Sequence, residues 1–264
     1  MRLQDFIQHH RRLFVLTGAG CSTESGIPDY RDADGSWKRA QPVMFKAFMT
    51  ETQTRQRYWA RSLIGWRHFG HARPNATHHA LARLEKHGQI ERLVTQNVDR
   101  LHQAAGSTDV IDLHGRLDIV LCMTCDARIT REDLQKELLR LNPEWEQFDA
   151  HSAPDGDADL GIRDFSTFEV PPCERCGGIL KPDVVFFGES VPRDRVDTAM
   201  LHVGQADAML VVGSSLMVYS GYRFVEAAAR HGKPIAAVNL GRTRADELLT
   251  LKVEQSCAAA LEFI

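Results

Sequence analysis

Four of the six cysteines fall in two pairs of identical spacing, Cys122-Met-Thr-Cys125 and Cys173-Glu-Arg-Cys176. Two such pairs on separate turns can converge into a tetrahedral four-thiolate site, the donor set that suits Zn²⁺. Four protein ligands leave no open coordination position, so one such ion is structural. Two disulfides or a redox pair are the alternatives. A redox pair opens a helix after a strand, and no secretory signal accompanies these cysteines, which favours metal. Cys21 and Cys257 stand alone and are expected to be buried thiols rather than nucleophiles.

A second chemical stretch starts with Leu13-Phe14-Val15-Leu16-Thr17, an apolar run that reads as a buried parallel strand, and breaks at Gly18-Ala19-Gly20-Cys21-Ser22-Thr23. Glycines at 18 and 20 allow a tight turn and close approach to a ligand, and free N–H groups at such a turn attract phosphate. The dinucleotide fingerprint wants a third glycine where Thr23 stands, so the hydride-transfer pattern is half met. An ordinary glycine turn is the alternative. Ser25-Gly26-Ile27-Pro28-Asp29-Tyr30-Arg31 adds a second break and an arginine able to reach a phosphate.

Thr95-Gln96-Asn97-Val98-Asp99-Arg100-Leu101-His102 places an amide pair and a carboxylate just past another apolar run. Asn97 and Asp99 suit helix capping; they equally suit recognition of a carboxamide, since Asp accepts from NH₂ and Asn can do either. Asp112-Leu113-His114-Gly115 ends a further strand with an imidazole, a group that titrates near neutral pH and can accept a hydroxyl proton. His78 and His79, by contrast, lie inside a helical pattern and are read as structural. Gly213-Ser214-Ser215-Leu216 after the run ending at Val212, and Asn239-Leu240-Gly241 after the last apolar run, repeat the small-residue turn that suits phosphate or ribose.

The elements that must position these groups alternate. Residues 1–12 read as a helix, as do Tyr58–Phe69, His78–His87 (stopped by Gly88), Arg131–Leu141 and Tyr222–His231. Strands are expected at Ile90–Gln96, Val110–Leu113, Val184–Phe187, Ala208–Val212 and Pro234–Leu240. Strand and helix in alternation imply an α/β fold, a Rossmann-like doubly wound parallel sheet with ligands beyond the carboxyl ends of its strands. A small zinc-binding module carrying both cysteine pairs is expected as an insertion in this fold; between the pairs, the acidic stretch Asp149–Asp164 reads as a surface loop.

Composition bounds the rest. A chain of 264 residues with net charge −3 offers no basic block and no reason to expect a nucleic-acid partner. The longest apolar runs are too short to span a bilayer, and residues 1–12 lack a signal-peptide core, so a cytoplasmic protein away from membranes is expected.

The run from Gly18 to Arg31 resembles the first signature of the sirtuins, the NAD-dependent protein-lysine deacylases, and Thr-Gln-Asn-Val-Asp-x-Leu-His resembles the second. Leu113-His114-Gly115 shortly before the first cysteine pair, and the two later turns, follow in family order, so the resemblance covers Leu13 to about Cys257. Arg57-Tyr58-Trp59-Ala60-Arg61 is most similar to the class II branch, which includes bacterial proteins and the mitochondrial sirtuin associated with lipoamidase and ADP-ribosyltransferase activities.

The resemblance implies NAD consumed as co-substrate and one structural Zn²⁺ on Cys122, Cys125, Cys173 and Cys176. It implies contacts to NAD from Gly18, Ala19, Gly20, Thr23, Asp29, Tyr30 and Arg31, from Gln96, Asn97, Asp99 and His114, and from Gly213, Ser214, Ser215, Asn239, Leu240 and Gly241, with a backbone contact near Cys257. His114, Asn97 and Asp99 are the implied catalytic residues. The acyl-lysine oxygen displaces nicotinamide, His114 takes a ribose hydroxyl proton, and water completes transfer to give lysine and O-acyl-ADP-ribose. Acyl-lysine proteins or peptides are the implied partners, added as a strand between Val185-Phe186-Phe187-Gly188-Glu189 and the loop Val218-Tyr219. Tyr58 and Arg61, at i and i+3 on a helix, resemble the pair that binds an acyl carboxylate in desuccinylating sirtuins. The chain is expected to be a monomer, with an NAD-binding part over roughly 1–30, 90–118 and 180–264, a zinc module over roughly 119–179 and a helical part over roughly 31–89. Protein mono-ADP-ribosyl transfer on the same NAD site, or a non-catalytic NAD or ADP-ribose binding module, are the alternatives.

Overall fold

A computed structural model describes residues 1–30, 32, 34, 36, 38, 42–148 and 164–264. Arg31 and residues 149–163, all but the last of the acidic stretch Asp149–Asp164, therefore lie outside the described residues. In chain order the strands are β1 (Leu13–Thr17), β2 (Ile90–Thr95), β3 (Val110–Asp112), β4 (Gly115–Cys122), β5 (Arg128–Thr130), β6 (Leu180–Val184), β7 (Ala208–Val212), β8 (Ile235–Val238) and β9 (Leu251–Val253). The helices are α1 (Leu3–His9), α2 (Phe45–Thr50), α3 (Thr52–Phe69), α4 (Ala76–Lys86), α5 (Leu101–Ala104), α6 (Arg131–Leu141), α7 (Arg193–Gln205), α8 (Tyr219–Arg230) and α9 (Cys257–Ala260).

The chain divides into two units, one of Met1–Ala40, Arg73–Leu113 and Val191–Ile264, the other of Gln41–Ala72 and His114–Ser190. The first holds a parallel sheet in the order β3-β2-β1-β7-β8-β9. Side chains on β1 alternate between its faces: Leu13 and Val15 pack with α1, α4 and α9 through Phe6, Leu81, Leu84 and Ala260. Phe14 and Leu16 pack with α7 and α8 through Ala199, Val203, Phe224 and Val225. Burial on both faces explains why β1 and β7 are apolar at every position rather than at alternate ones. The strand order reverses between β1 and β7, the switch point at which such sheets bind ligands.

In the second unit β5, β4 and β6 form an antiparallel sheet in the order β5-β4-β6. The strand expected at Val184–Phe187 is displaced: β6 ends at Val184, and residues 185–188 make only a single parallel bridge among the described residues, Phe187 with Met44. Pro182 lies within β6, which is permitted because β6 is an edge strand. The Arg131 guanidinium at the start of α6 lies over the rings of Trp59 (5.6 Å) and Trp66 (5.0 Å) on α3. One of its nitrogens donates to the Ser62 carbonyl at 3.1 Å, and burial draws the guanidinium down to about 10.

Candidate active site

In the first unit the turns after β1 and β7 meet at the switch point. Gly20 N donates to the Gly213 carbonyl at 2.8 Å, and Gly213 adopts φ +65°. A Cβ on Gly18 would stand 2.8 Å from the Gly213 carbonyl oxygen and from Ser214 Cβ. The sequence pattern suggested that these glycines clear space for a ligand; the structure shows that they first clear space for each other. Their contact brings Ala19 and Gly20, both half-buried, beside Gly213 and Ser214 at the strand ends.

Behind this crossing lies a polar relay. Asn97 Nδ2 donates to the Gly18 carbonyl at 3.0 Å and to Ser22 Oγ at 3.1 Å, and Ser22 Oγ–H donates to Asp99 Oδ2 at 2.6 Å. Both amide protons of Asn97 are thus directed inward, which leaves its Oδ1 as the group available to accept. Asp99 Oδ1 also accepts the Leu101 N–H at 2.9 Å, so the capping expected of Asp99 is real and coexists with the relay. Burial raises the Asp99 carboxyl above its ordinary range, while the Ser22 and Leu101 hydrogen bonds act in the opposite direction. Gln96 Oε1 accepts from Ser214 Oγ at 2.6 Å and joins the two strand-end turns.

Ser22 is the member of this relay that carries no signal as a single residue; of the buried histidines near it, His78 has the structural place expected of it. His78 caps α4 with Asn75 and lies 3.5 Å from Ser22 Oγ, and His102 Nε2 is 2.9 Å from Thr17 Oγ1. Burial lowers His78 to about 4 and lowers His102 well below the usual imidazole value, so both are neutral supports.

Other expected cofactor residues spread around these turns. Asn239 is buried and donates to the Leu240 carbonyl at 3.0 Å, while Leu240 is exposed and Gly241 adopts φ +83°. Ser215 accepts the Arg244 N–H at 2.9 Å. Thr23 is exposed with its hydroxyl on the Gly20 carbonyl, Asp29 pairs with Lys38, and Tyr30 is half-buried. The Cys21 thiol is pushed well up, first by its hydrogen bond with Cys257 and then by burial, which makes it an inert core group. Val218 precedes α8 and Tyr219 opens it, exposed.

His114 opens the second stretch of the second unit, His114–Ser190, directly after Leu113. Its carbonyl accepts the Val185 N–H at 2.8 Å, and Gly115 after it adopts φ +85°, where any Cβ would stand on the Asp183 carbonyl oxygen. The glycine at 115 is therefore a consequence of β4 starting against β6. The expected substrate segment is held on both sides: Phe45 N donates to the Phe187 carbonyl at 2.9 Å, and Phe186 N donates to Glu189 Oε2 at 2.8 Å. Gly188 adopts φ +82°. Tyr58 is buried against Phe48, Trp59 and Phe186 with ring centroids 5.2–5.4 Å apart, and Arg61, one turn on, is half-buried. Packing is thus part of the role of Tyr58.

The four paired cysteines come together in the same unit, with all Sγ atoms within 4.8 Å of one another. Cys122 and Cys176 are 3.5 Å apart at sulfur, Cys125 and Cys173 3.8 Å. A tetrahedral ZnS₄ centre with Zn–S of about 2.3 Å needs sulfurs about 3.8 Å apart, so the donor set fits zinc and leaves no position open for chemistry.

The Sir2 family model matches residues 18–220. The chain belongs to the Sir2 family. It is 71% identical over 262 residues to NAD-dependent protein deacetylase 2 of Bradyrhizobium diazoefficiens, covering 99% of this chain and 96% of that one. It is 46% identical over 259 residues to the NAD-dependent protein deacylase Sirt4 of Drosophila melanogaster, covering 97% and 83%. Among solved structures, a Sir2 complex with p53 peptide and NAD⁺ superposes with TM-score 0.77 at 32% identity, over 100% of this chain and 97% of that one.

Within the Sir2 family frame, the switch-point turns and the inward-bonded Asn97 fit a dinucleotide with a carboxamide end. The glycine crossing offers backbone close to the strand ends, and Asn97 Oδ1 offers an acceptor for NH₂. Among the described residues no helix is long and apolar enough to cross a membrane.

Proposed function

We propose that the chain is an NAD-dependent protein-lysine deacylase, transferring the acyl group from lysine to ADP-ribose with release of nicotinamide. The observation that carries this reading is the fixed orientation of Asn97, set by the Gly18 carbonyl and Ser22, in a chain of the Sir2 family. NAD supplies the ribose–nicotinamide bond whose cleavage drives the transfer.

The chain's own residues supply position and proton handling. Asn97 Oδ1 accepts from the carboxamide, and Asp99 holds Ser22, and through it Asn97, in place. Gly18, Ala19 and Gly20 and the Gly213–Ser215 turn present backbone and hydroxyl groups to phosphate and ribose, with Gln96 locking the second turn through Ser214. Asn239, Leu240, Gly241 and the backbone near Cys257 serve the adenosine end. His114 accepts the ribose hydroxyl proton, its main chain fixed by Val185. The acyl-lysine peptide docks through main-chain bonds along Val185–Gly188 and along Val218–Tyr219. The four thiolates hold Zn²⁺ and fold the module around it.

The reading extends to a monomer acting in the cytoplasm, on acyl groups that reach Arg61. Mono-ADP-ribosyl transfer is not favoured, because the similar proteins are named deacetylases and a deacylase. Incubation with NAD and acyl-lysine peptides should release nicotinamide and deacylated peptide in equal amounts. His114→Ala should lower turnover by about 10²-fold or more while NAD binding persists. Nicotinamide release without deacylated peptide, or a fully active His114→Ala variant, contradicts the assignment.

A further inference from the structure

The loops after β7 and β8 carry a cationic surface that no role above uses. Arg223, one turn into α8, places its guanidinium over the Tyr219 ring, 5.2 Å from the centroid. Arg244, from the loop after β8, lies over Tyr222 at 4.3 Å and over Tyr219 at 5.8 Å. Its Nη1 donates to the Met217 carbonyl at 3.4 Å and its backbone N–H to the Ser215 carbonyl at 2.9 Å, which ties it to the loop that leads into α8. Arg242 is exposed two residues earlier in the same loop.

Some exposed arginines elsewhere have carboxylates beside them, as Arg2 has Asp5, Arg12 has Asp207 and Arg140 has Glu137. Among the described residues, none of Arg223, Arg242 and Arg244 has a carboxylate within ion-pair distance, although acidic residues outnumber basic ones in the chain. Arg223 Nε is buried and has no hydrogen-bond partner. The phenol rings cover the faces of the two guanidinium groups and pre-order them; with Arg223 Nε buried and Arg244 Nη1 on the Met217 carbonyl, the other guanidinium N–H groups are what remains to be met by a partner. A planar carboxylate matches such an edge.

We propose that Arg223 and Arg244, stacked on Tyr219 and Tyr222, form a carboxylate-reading surface that selects acyl-lysine segments carrying Asp or Glu close in sequence to the modified lysine. The proposal rests on the deacylase reading and on the placement of substrate along Val218–Tyr219; it adds the charge of the substrate segment, which nothing in the reaction itself specifies. Stacked arginines at an exposed rim act chiefly on the affinity for the charged partner and lose that effect as salt screens it.

The test compares one acyl-lysine peptide in three forms, with Asp, Ala or Lys flanking the lysine, on wild type and on the Arg223→Gln, Arg244→Gln double variant. The wild type should show a KM roughly three- to tenfold lower for the Asp form than for the Ala form, and higher for the Lys form, with the differences shrinking as salt rises. The double variant should treat the three forms alike, with turnover of the Ala form and KM for NAD unchanged. Equal handling of the three peptides by wild type overturns the proposal. So does a double variant whose main defect is a raised KM for NAD, which would assign these arginines to the cofactor phosphates. If no peptide is deacylated, the deacylase reading fails separately, and direct titration of the three peptides into wild type and variant still decides the charge preference.

Discussion

Lys181 Nζ lies 3.0 Å from Glu189 Oε2, and the lysine side chain is almost wholly buried. The same carboxylate oxygen accepts the Phe186 N–H at 2.8 Å, while the ammonium donates to the Val184 carbonyl and lies 4.6 Å from the Phe186 ring centroid. One ion pair therefore closes the turn from Val184 to Glu189 that is assigned to the substrate. Burial lowers the Lys181 pKa, and Glu189 opposes that shift. Lys181→Met leaves Glu189 partly buried without its cation and should cost about 3 kcal/mol in denaturant unfolding. It should also raise the peptide KM more than the NAD KM. An equal rise in both would make the pair a general stabiliser only.

Ser22 is the hinge of the Asn97 relay, because it accepts from Asn97 and donates to Asp99. Ser22→Ala leaves one Asn97 proton and one Asp99 oxygen without a partner. NAD binding should weaken by about 10-fold, the equivalent of one lost hydrogen bond to a charged network. Calorimetric titration of NAD and inhibition by nicotinamide should shift together; a change in neither would remove Ser22 from the site.

The buried histidines give the fold an acid limit. His78 is held at about 4, and His102 is also lowered, while the unfolded chain takes up protons near the ordinary imidazole value of about 6.5. Between these values the unfolded state binds more protons, so stability rises with pH across the window and is lost as pH falls through it. Asp99, whose carboxyl is raised, acts in the opposite sense: its contribution declines as pH rises above about 4. Two histidines outweigh one carboxyl, so the melting temperature should fall below about pH 6.5, and His78→Gln should flatten part of that slope. A flat profile in wild type contradicts the neutral-histidine assignment.

Metal analysis should find one zinc per chain on the four-cysteine cluster. Cys173→Ala, or a strong chelator, should lower the melting temperature and expose the second unit to protease first, because the thiolates bridge two distant stretches of chain. A metal-free protein with wild-type melting and activity would contradict the structural role.

Arg61 is half-buried one turn from Tyr58. If its guanidinium meets an acyl carboxylate, glutaryl-type or methylglutaryl-type lysine should be processed better than acetyl-lysine. Arg61→Met should then reduce kcat/KM on acidic acyl groups selectively, by roughly 1.5–3 kcal/mol, the range for a lost hydrogen bond to a charged group. Equal losses on acidic and neutral acyl peptides would leave Arg61 with a packing role.

Local pattern alone determined the elements whose cause is local. The apolar runs of β1 and β7 and helix α6, capped by Thr130 on Asp133 N, have the limits expected of them. The parallel sheet followed from strand–helix alternation, and the cysteine spacing pointed to the four-sulfur cluster. Other elements were hidden. The alternation of β4 runs into the first cysteine pair, α7 buries only Ala199 and Val203 along its length, and β6 ends before the apolar Val185–Phe187 because Glu189 turns the chain. Only the tertiary structure decided the roles of Ser22, His102 and Lys181. Ser22 meets Asp99 across 77 positions of sequence and His102 meets Thr17 across 85, and such pairs exist only once the sheet brings strand ends together. The glycine turns show the same division. Their flexibility is written in the residue type, but the neighbour that requires it, one turn against the other at the strand reversal, is set by packing.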